Sequence, residues 1–155
     1  MASPGSPEAE LEQTFPNLRA SGYRITGPAT KHYNCIAWAA GDQDAWWQGE
    51  LADAYWPEGI PTDGTVPSLV ALFQSLGYQV CDSPELEQEF DKVVIYAKAA
   101  EYTHAARQLA DGGWTSKLGQ SVQIEHATLD ALTGEAYGVV AQILKRPRLP
   151  GNVVP

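Results

Sequence analysis

Two cysteines and three histidines are the residues of this chain best suited to covalent chemistry. Cys35 follows Asn34, which suits the N-cap of a short helix, so we expect the cysteine in the first helical turn. A helix N-terminus supplies free N–H groups and a positive dipole end, both of which favour a thiolate nucleophile. His104 is expected on a strand, where it would take the thiol proton as a base. The sequence therefore predicts a Cys35–His104 pair.

A third group is needed to hold the His104 ring in one orientation. The turn signal Asp111-Gly112-Gly113 predicts a hairpin that carries His104 on its first strand. A three-residue loop places Gln120 opposite His104, with Ser116 on the same side of the hairpin. A two-residue loop instead places Gly119 and Lys117 on that side. The register stays open, so the candidate catalytic residues are Cys35, His104, His126, Ser116 and Gln120.

Substrate-binding candidates surround this pair. Asn34 and the backbone N–H of Cys35 are candidate donors to an oxyanion. Tryptophans would line a groove for a peptide or another partner, or would instead cover the core; they are Trp46, Trp47, Trp56 and Trp114. Ser116 and Lys117 beside His104 offer an alternative, an anion-binding pocket. No paired ligand spacing exists among the cysteines and histidines, so we expect no metal or other cofactor.

The elements that must position these residues indicate an α+β fold, with the helix that bears Cys35 packed on an antiparallel sheet. We expect a disordered tail at 1–13, a single domain at 14–147 and a C-terminal tail at 148–155. Segments 14–31 and 42–66 are expected to be irregular. Apolar spacing predicts helices at 34–40, 67–76 and 121–133, and strands at 78–81, 91–98, 102–109, 114–118 and 137–144.

Charge narrows the function classes. The 155 residues include 10 Lys and Arg against 19 Asp and Glu, a net charge of -9, which argues against nucleic acid and anionic membranes as partners. Eleven of the acidic residues lie between Lys31 and Lys92, where no Lys or Arg occurs. This stretch favours a cationic peptide or protein partner and disfavours a thiolate at Cys35. No apolar run approaches the ~20 residues of a membrane span, and residues 1–13 lack a signal-peptide pattern, so we expect a cytoplasmic protein.

Several segments resemble an uncharacterised bacterial family of small soluble proteins. They are YNCIAWA (33–39), YWP (55–57), LGY (76–78), THAARQ (103–108), WTSKLG (114–119) and IEH (124–126). The likeness covers residues 14–147 and implies no established activity. More remotely, a helix cysteine followed by a strand histidine resembles the papain-like and NlpC/P60-like cysteine peptidases. That resemblance implies Cys35 as nucleophile and His104 as base.

Two functions of different classes follow. The first is a thiol hydrolase or acyltransferase that acts on a peptide, isopeptide or side-chain amide through Cys35 and His104. The second is a non-enzymatic interaction module whose acidic, aromatic segment 42–63 binds a basic partner while Cys35 belongs to the core. The oligomeric state stays open.

Overall fold

One seven-stranded antiparallel sheet forms the framework of the computed structural model, which describes residues 6–148. The strands are β1 (Tyr23–Gly27), β2 (Gln79–Cys81), β3 (Phe90–Lys98), β4 (Glu101–Gln108), β5 (Trp114–Lys117), β6 (Gln123–His126) and β7 (Val139–Pro147). Their order across the sheet is β1-β6-β5-β4-β3-β7-β2. The chain is therefore α+β with an antiparallel sheet, as predicted.

Short helices cover both faces of this sheet. They are α1 (Pro7–Thr14), α2 (Leu18–Ser21), α3 (Cys35–Ala40), α4 (Val66–Ser75) and a 3-10 helix at Leu129–Leu132. Side chains of Ser6, Asn34 and Thr65 cap α1, α3 and α4 by accepting hydrogen bonds from first-turn N–H groups. Gly41 ends α3 in the left-handed conformation that glycine adopts without strain.

Alternating side chains of the central strand β3 divide the core in two. Val93 and Ile95 join the cluster under α3 and α4, which we call the α3 face. Val94 and Tyr96 join the cluster under α1, α2 and the 3-10 helix, which we call the α1 face. Strand β3 is buried on both sides, which explains its continuous apolar run.

The two N-terminal predictions are wrong over the described residues. Residues 7–13 of the expected tail belong to α1, which Ser6 caps and which buries Leu11, while Phe15 is buried just after it. These two side chains are four residues apart, so they reach the same side of the helix and anchor it on the sheet. The expected irregular segment 14–31 contains α2 and the edge strand β1. The predicted C-terminal tail lies outside the described residues, except for Arg148.

The helix predicted over 121–133 is also wrong. Residues 123–126 alternate between half-buried and buried positions and form β6, which pairs with both β1 and β5. Only Leu129–Leu132 is helical, and it is a 3-10 turn. Ile124 and Leu132 are both buried, Ile124 on β6 and Leu132 in the 3-10 turn.

The hairpin has a five-residue loop at 109–113, since Gln108 pairs with Trp114 and Arg107 pairs with Thr115. Neither loop length considered from the sequence is correct. The loop is two residues longer than the three-residue alternative, so it keeps the same alternation and leaves Ser116 on the face of His104. Strands β4 and β5 pair only at these two positions and then separate, whereas β5 remains paired with β6 as far as Lys117.

Candidate active site

A buried chain of hydrogen bonds joins two histidines through a serine on the α1 face. The Nε2 atom of His104 lies 2.9 Å from Ser116 Oγ, which lies 2.8 Å from His126 Nε2. The Nδ1 atom of His126 lies 2.9 Å from the carbonyl oxygen of Thr128. All three side chains are buried. Three of the five predicted catalytic residues are therefore brought together.

The bonding pattern fixes where the protons lie. A carbonyl oxygen only accepts, so His126 Nδ1 carries a hydrogen and its Nε2 is bare in the neutral ring. The Ser116 hydroxyl then donates to His126 and accepts from His104 Nε2–H. The Nδ1 atom of His104 is therefore unprotonated, and it is buried without a hydrogen-bond partner.

Burial keeps both imidazoles neutral at physiological pH. It lowers the pKa of His104 well below its usual value, and the nearby charge of His126 lowers that pKa further. Burial also lowers the pKa of His126 to about 4, against a smaller raising effect from the Thr128 carbonyl. The proton assignment above consequently holds near neutral pH.

Two tyrosines hold the His104 ring from the sides. Tyr137 stacks on it with ring centres 4.3 Å apart and an angle of 7° between the planes. Tyr96 packs at a tilt 5.6 Å away and donates its hydroxyl to the Leu129 carbonyl. Burial raises the pKa of Tyr137, so its phenol stays protonated against the imidazole.

Cys35 is the first residue of α3, a half-buried free thiol on the α3 face. Burial raises its pKa, whereas N–H groups of Ala105 and Ile36 and the charge of Lys117 act in the opposite direction. The raising effect dominates, so Cys35 is a thiol at neutral pH and needs a base to become a nucleophile. The acidic stretch, which was expected to oppose ionisation, is not among the causes of this shift.

Cys35 and His104 approach β4 from opposite faces. Helix α3, which begins at Cys35, packs on β4, and the N–H of Ala105, the neighbour of His104 in the chain, acts to lower the Cys35 pKa. The two side chains therefore flank the same position of β4, next to the point where β5 separates from it. Within residues 6–148, no hydrogen bond joins the sulfur to either ring nitrogen of His104, because Nε2 is bonded to Ser116 and Nδ1 has no partner.

Asn34 is the N-cap that the sequence predicts, and this role uses its whole amide. Its Oδ1 accepts from the N–H groups of Ala37 (3.1 Å) and Trp47 (3.2 Å), and its Nδ2 donates 2.7 Å to the Trp47 carbonyl. The Asn34 amide is thus committed to fixing the loop around Trp47 on α3, so its side chain is not free to donate to an oxyanion as expected from the sequence.

Lys117 does not fit the alternative of an anion pocket. Its buried ammonium donates to the carbonyls of Thr30 (2.7 Å) and Gly119 and lies 5.1 Å from the centre of the Tyr33 ring. Burial lowers its pKa, and the charge of Cys35 partly offsets that effect. The lysine therefore ties the end of β5 to the segment before α3.

The four tryptophans do not form one groove. Trp47 is buried on the α3 face. Trp114 is buried on the α1 face, and its neighbour Thr115 on β5 points to the opposite side of the sheet. Trp56 is half-buried and donates to the Ile60 carbonyl. Trp46 lines an open cleft of about 270 Å³ together with Gln120, which is exposed and makes no contact with the His104 chain.

Tyr137 and Thr128 belong to the site and were missed from the sequence. Tyr137 is presented by a short turn in which Gly134 and Gly138 exchange backbone hydrogen bonds. A Cβ atom at Gly138 would lie 2.1 Å from the Ala97 carbonyl oxygen, so the chain passes β3 at a distance that only glycine permits. This glycine pair is the one sequence signal for the turn, and nothing in it indicates stacking on an imidazole.

These features define a class: a small α+β protein with a half-buried cysteine and a buried, oriented imidazole at one position of an antiparallel sheet. Residues 24–145 match the family model DUF7689, described as a domain of unknown function, and the chain belongs to that family. No curated protein matches the chain, and no solved structure does. None of these comparisons supports the papain-like resemblance. Among the described residues, no helix has the length and apolar character needed to cross a membrane.

Proposed function

We propose that the protein is a thiol hydrolase or acyltransferase that uses Cys35 on a peptide, isopeptide or side-chain amide. The observation that carries this proposal is the state of His104, whose Nε2 is fixed by Ser116 and His126 while its Nδ1 stays bare and unpaired. A general base needs such an arrangement, with one nitrogen oriented by a partner and the other free to take a proton.

The cost of this arrangement supports a role beyond packing. A buried acceptor without a partner costs about 1–3 kcal/mol, which an apolar side chain at the same position avoids. The ring is also held by Tyr137, so the bare nitrogen cannot turn to a new partner freely. The proposal includes a papain-like arrangement, in which a helix carries the nucleophilic cysteine and a strand carries the histidine.

The proposed reaction starts with the transfer of the Cys35 thiol proton to His104 Nδ1. The sulfur attacks the amide carbon, a C–S bond forms, and the carbonyl electron pair moves to oxygen, where N–H groups of Cys35 and Ile36 donate to it. The C–N bond then breaks, His104 returns the proton to the departing amine, and a thioester remains. Water or an acceptor amine attacks the thioester, gives a proton to His104 and releases Cys35 as the thiol.

The reaction requires sulfur and imidazole to meet at the gap beside Ala105, where β4 and β5 are no longer paired. In this gap the sheet has no ladder hydrogen bonds to break, so movement there costs less than elsewhere in the sheet. The acidic segment 42–63 lies just after α3 in the chain. Its negative charge would attract substrates that carry a positive charge close to the amine released from the amide.

Acylation by p-nitrophenyl acetate tests the proposal with a readout independent of the natural substrate. We expect a burst of nitrophenolate and one acetyl group on Cys35, located by peptide mass spectrometry. Cys35→Ala should abolish both, whereas Cys81→Ala is the matched control because Cys81 is also a free, half-buried thiol. His104→Gln should slow acylation roughly 100-fold, as expected for loss of a general base.

The proposal is overturned if Cys35→Ala retains the burst. It is also overturned if His104→Gln, shown by circular dichroism to be folded, acylates at the wild-type rate. Where His104→Gln does not fold, Ser116→Ala provides the second variant, because it frees the ring without removing it and should slow acylation at unchanged secondary structure.

A non-enzymatic interaction module is the second candidate, and one observation favours it. None of the ion pairs among the described residues involves an acidic residue of segment 42–63, whereas Glu87 and Asp91 are each paired with two cations. Segment 42–63 also exposes about half of the Leu51 and Tyr55 side chains. Carboxylates without a cation partner in the described part of the chain, beside exposed apolar groups, suit a basic, partly apolar peptide.

Binding of a fluorescent lysine-rich peptide tests this second function by anisotropy. The peptide should bind more weakly as salt rises, and Asp53→Asn should weaken binding while Cys35→Ala leaves it unchanged. Glu89→Gln is the matched control, an exposed carboxylate outside the segment. Equal binding by the Asp53 and Glu89 variants contradicts the module.

A further inference from the structure

A cavity of about 470 Å³ lies between α1 and the turn that joins β5 to β6. Its apolar lining comes from Leu11, Phe15, Leu118, Val122 and Tyr137. The volume falls within the range of pockets that hold small molecules in proteins. The space between these apolar walls suits an apolar ligand, because water there would find few hydrogen-bond partners.

The wall that α1 contributes is held in place from several directions. Leu11 and Phe15 are buried against the sheet, and the Phe15 and Tyr137 rings pack at a tilt with centres 5.0 Å apart. The Tyr23 hydroxyl donates 2.5 Å to the Glu12 carboxylate from strand β1. The cavity is therefore built between fixed elements and does not depend on one loop.

The rim of the cavity has a definite charge. Hydroxyl groups of Thr14 and Ser121 lie on it together with the exposed carboxylate of Glu10, which is in no ion pair among the described residues. A carboxylate at the mouth attracts an ammonium group and repels an anionic one. The net charge of -9 acts in the same direction.

We infer that this cavity is a binding site for a small apolar amine, with its hydrocarbon part inside and its ammonium group at Glu10. Tyr137 is shared with the candidate active site, because one side of its ring stacks on His104 while the residue also lines the cavity. The inference does not rest on the chemistry proposed for Cys35, since no catalytic step is required for binding.

Fluorescence of 1-N-phenylnaphthylamine, a neutral apolar probe, measures occupancy of the cavity. We expect the probe to brighten on binding and to be displaced by decylamine at a concentration at least tenfold lower than by decanoate. Glu10→Gln should reduce that preference for decylamine. Cys35→Ala should bind the probe like the wild type, which separates this inference from the proposed thiol chemistry.

Filling the cavity is the decisive variant. Ala136 lines the cavity and is exposed, so Ala136→Phe can occupy the space without disturbing the core and should weaken probe binding at least tenfold. Ala110→Phe in the hairpin loop is the matched control and should leave binding unchanged. If Ala136→Phe does not fold, Val122→Trp replaces it. Absence of probe binding, equal displacement by decanoate, or full binding by a folded filling variant overturns the inference.

Discussion

Two buried polar clusters on neighbouring strands differ in how completely their atoms are paired. On β3, the fully buried Lys92 ammonium donates its hydrogens to the carbonyls of Ser83 (2.8 Å) and Glu85 (2.6 Å) and to the Glu87 carboxylate (2.7 Å). On β4, the equally buried His104 leaves Nδ1 without a partner. The first cluster holds segment 83–87 on the sheet. The second contains a buried nitrogen, His104 Nδ1, that contributes no hydrogen bond to the packing around it.

The unpaired nitrogen is not the only exception in the described residues, and the other one is informative. Gln108 Oε1 is also buried without a partner, but its Nε2 donates 2.7 Å to the Pro84 carbonyl at the end of the hairpin. His104 differs because its free atom belongs to an imidazole that a chain of hydrogen bonds through Ser116 and His126 holds in one orientation.

The largest effect should come from the fully paired cluster. Lys92→Met removes a buried cation and its bonds to the carbonyls of Ser83 and Glu85, while Glu87 keeps only Lys145 as a cation partner, so the free energy of unfolding should fall by about 3 kcal/mol. Urea denaturation measures the change. Lys145→Met is the matched control, because Lys145 is partly exposed and shares only Glu87; a loss as large as that of Lys92→Met would contradict the special role of burial.

Breaking the histidine chain should have a smaller effect on stability. Ser116→Ala leaves Nε2 of His104 and Nε2 of His126 unpaired, which should lower the free energy of unfolding by about 1–3 kcal/mol in urea denaturation. Ser121→Ala, at an exposed position, should change it little. A stable Ser116→Ala variant would mean that the chain contributes nothing to folding.

Acid should destabilise the protein before its carboxylates titrate. His104 and His126 are neutral when folded because burial lowers their pKa, whereas the unfolded chain protonates them below about 6.5. The unfolded state therefore binds more protons, and the free energy of unfolding should fall as pH drops from 6.5 towards 4, by roughly 1 kcal/mol per pH unit for each histidine. Urea titrations at several pH values measure the slope.

A histidine variant tests the origin of that slope. His126→Gln should remove about one histidine's share of the pH dependence. An identical slope in the His126 variant and the wild type would assign the acid sensitivity to other groups.

The smallest effect is expected at the surface of the paired region. Arg148 lies 3.1 Å from Asp91 but is exposed, and Asp91 also contacts Arg146. Arg148→Ala should lower the free energy of unfolding by less than about 1 kcal/mol, and the difference should shrink in high salt. A larger loss in urea denaturation would show that this edge of the sheet depends on its ion pairs.

Local signals in the sequence predict the elements that carry the candidate nucleophile. The Asn34 cap and the Gly41 stop delimit α3 correctly, and the apolar run at 91–98 identifies the central strand. The three-residue alternative puts Ser116 on the side of His104, and the five-residue loop keeps it there because strand alternation survives a change of two residues in loop length. What failed was the count itself, since the five-residue loop has no distinct sequence signal.

Tertiary pairing explains the other failures. Strand β6 looks helical in sequence because a four-residue strand shows too few alternations, and only its pairing with β1 and β5 defines it. For Trp114 the sequence leaves a groove and the core as alternatives, and the structure places it in the core because α1 and the 3-10 helix cover that face of its strand. Thr128, the last member of the hydrogen-bond chain, contributes only its carbonyl oxygen to His126. Every residue has such an oxygen, so no sequence pattern can single it out.

Helix α1, which forms one wall of the cavity, lies outside the segment that matches the family model. The match begins at residue 24, so the helix that supplies one wall of the cavity and the carboxylate at its mouth lies outside it. Substitutions in that helix can alter what the cavity accepts while the sheet and the histidine chain stay intact. A protein that shares only the matched segment can therefore have the sheet without the helix that lines this cavity.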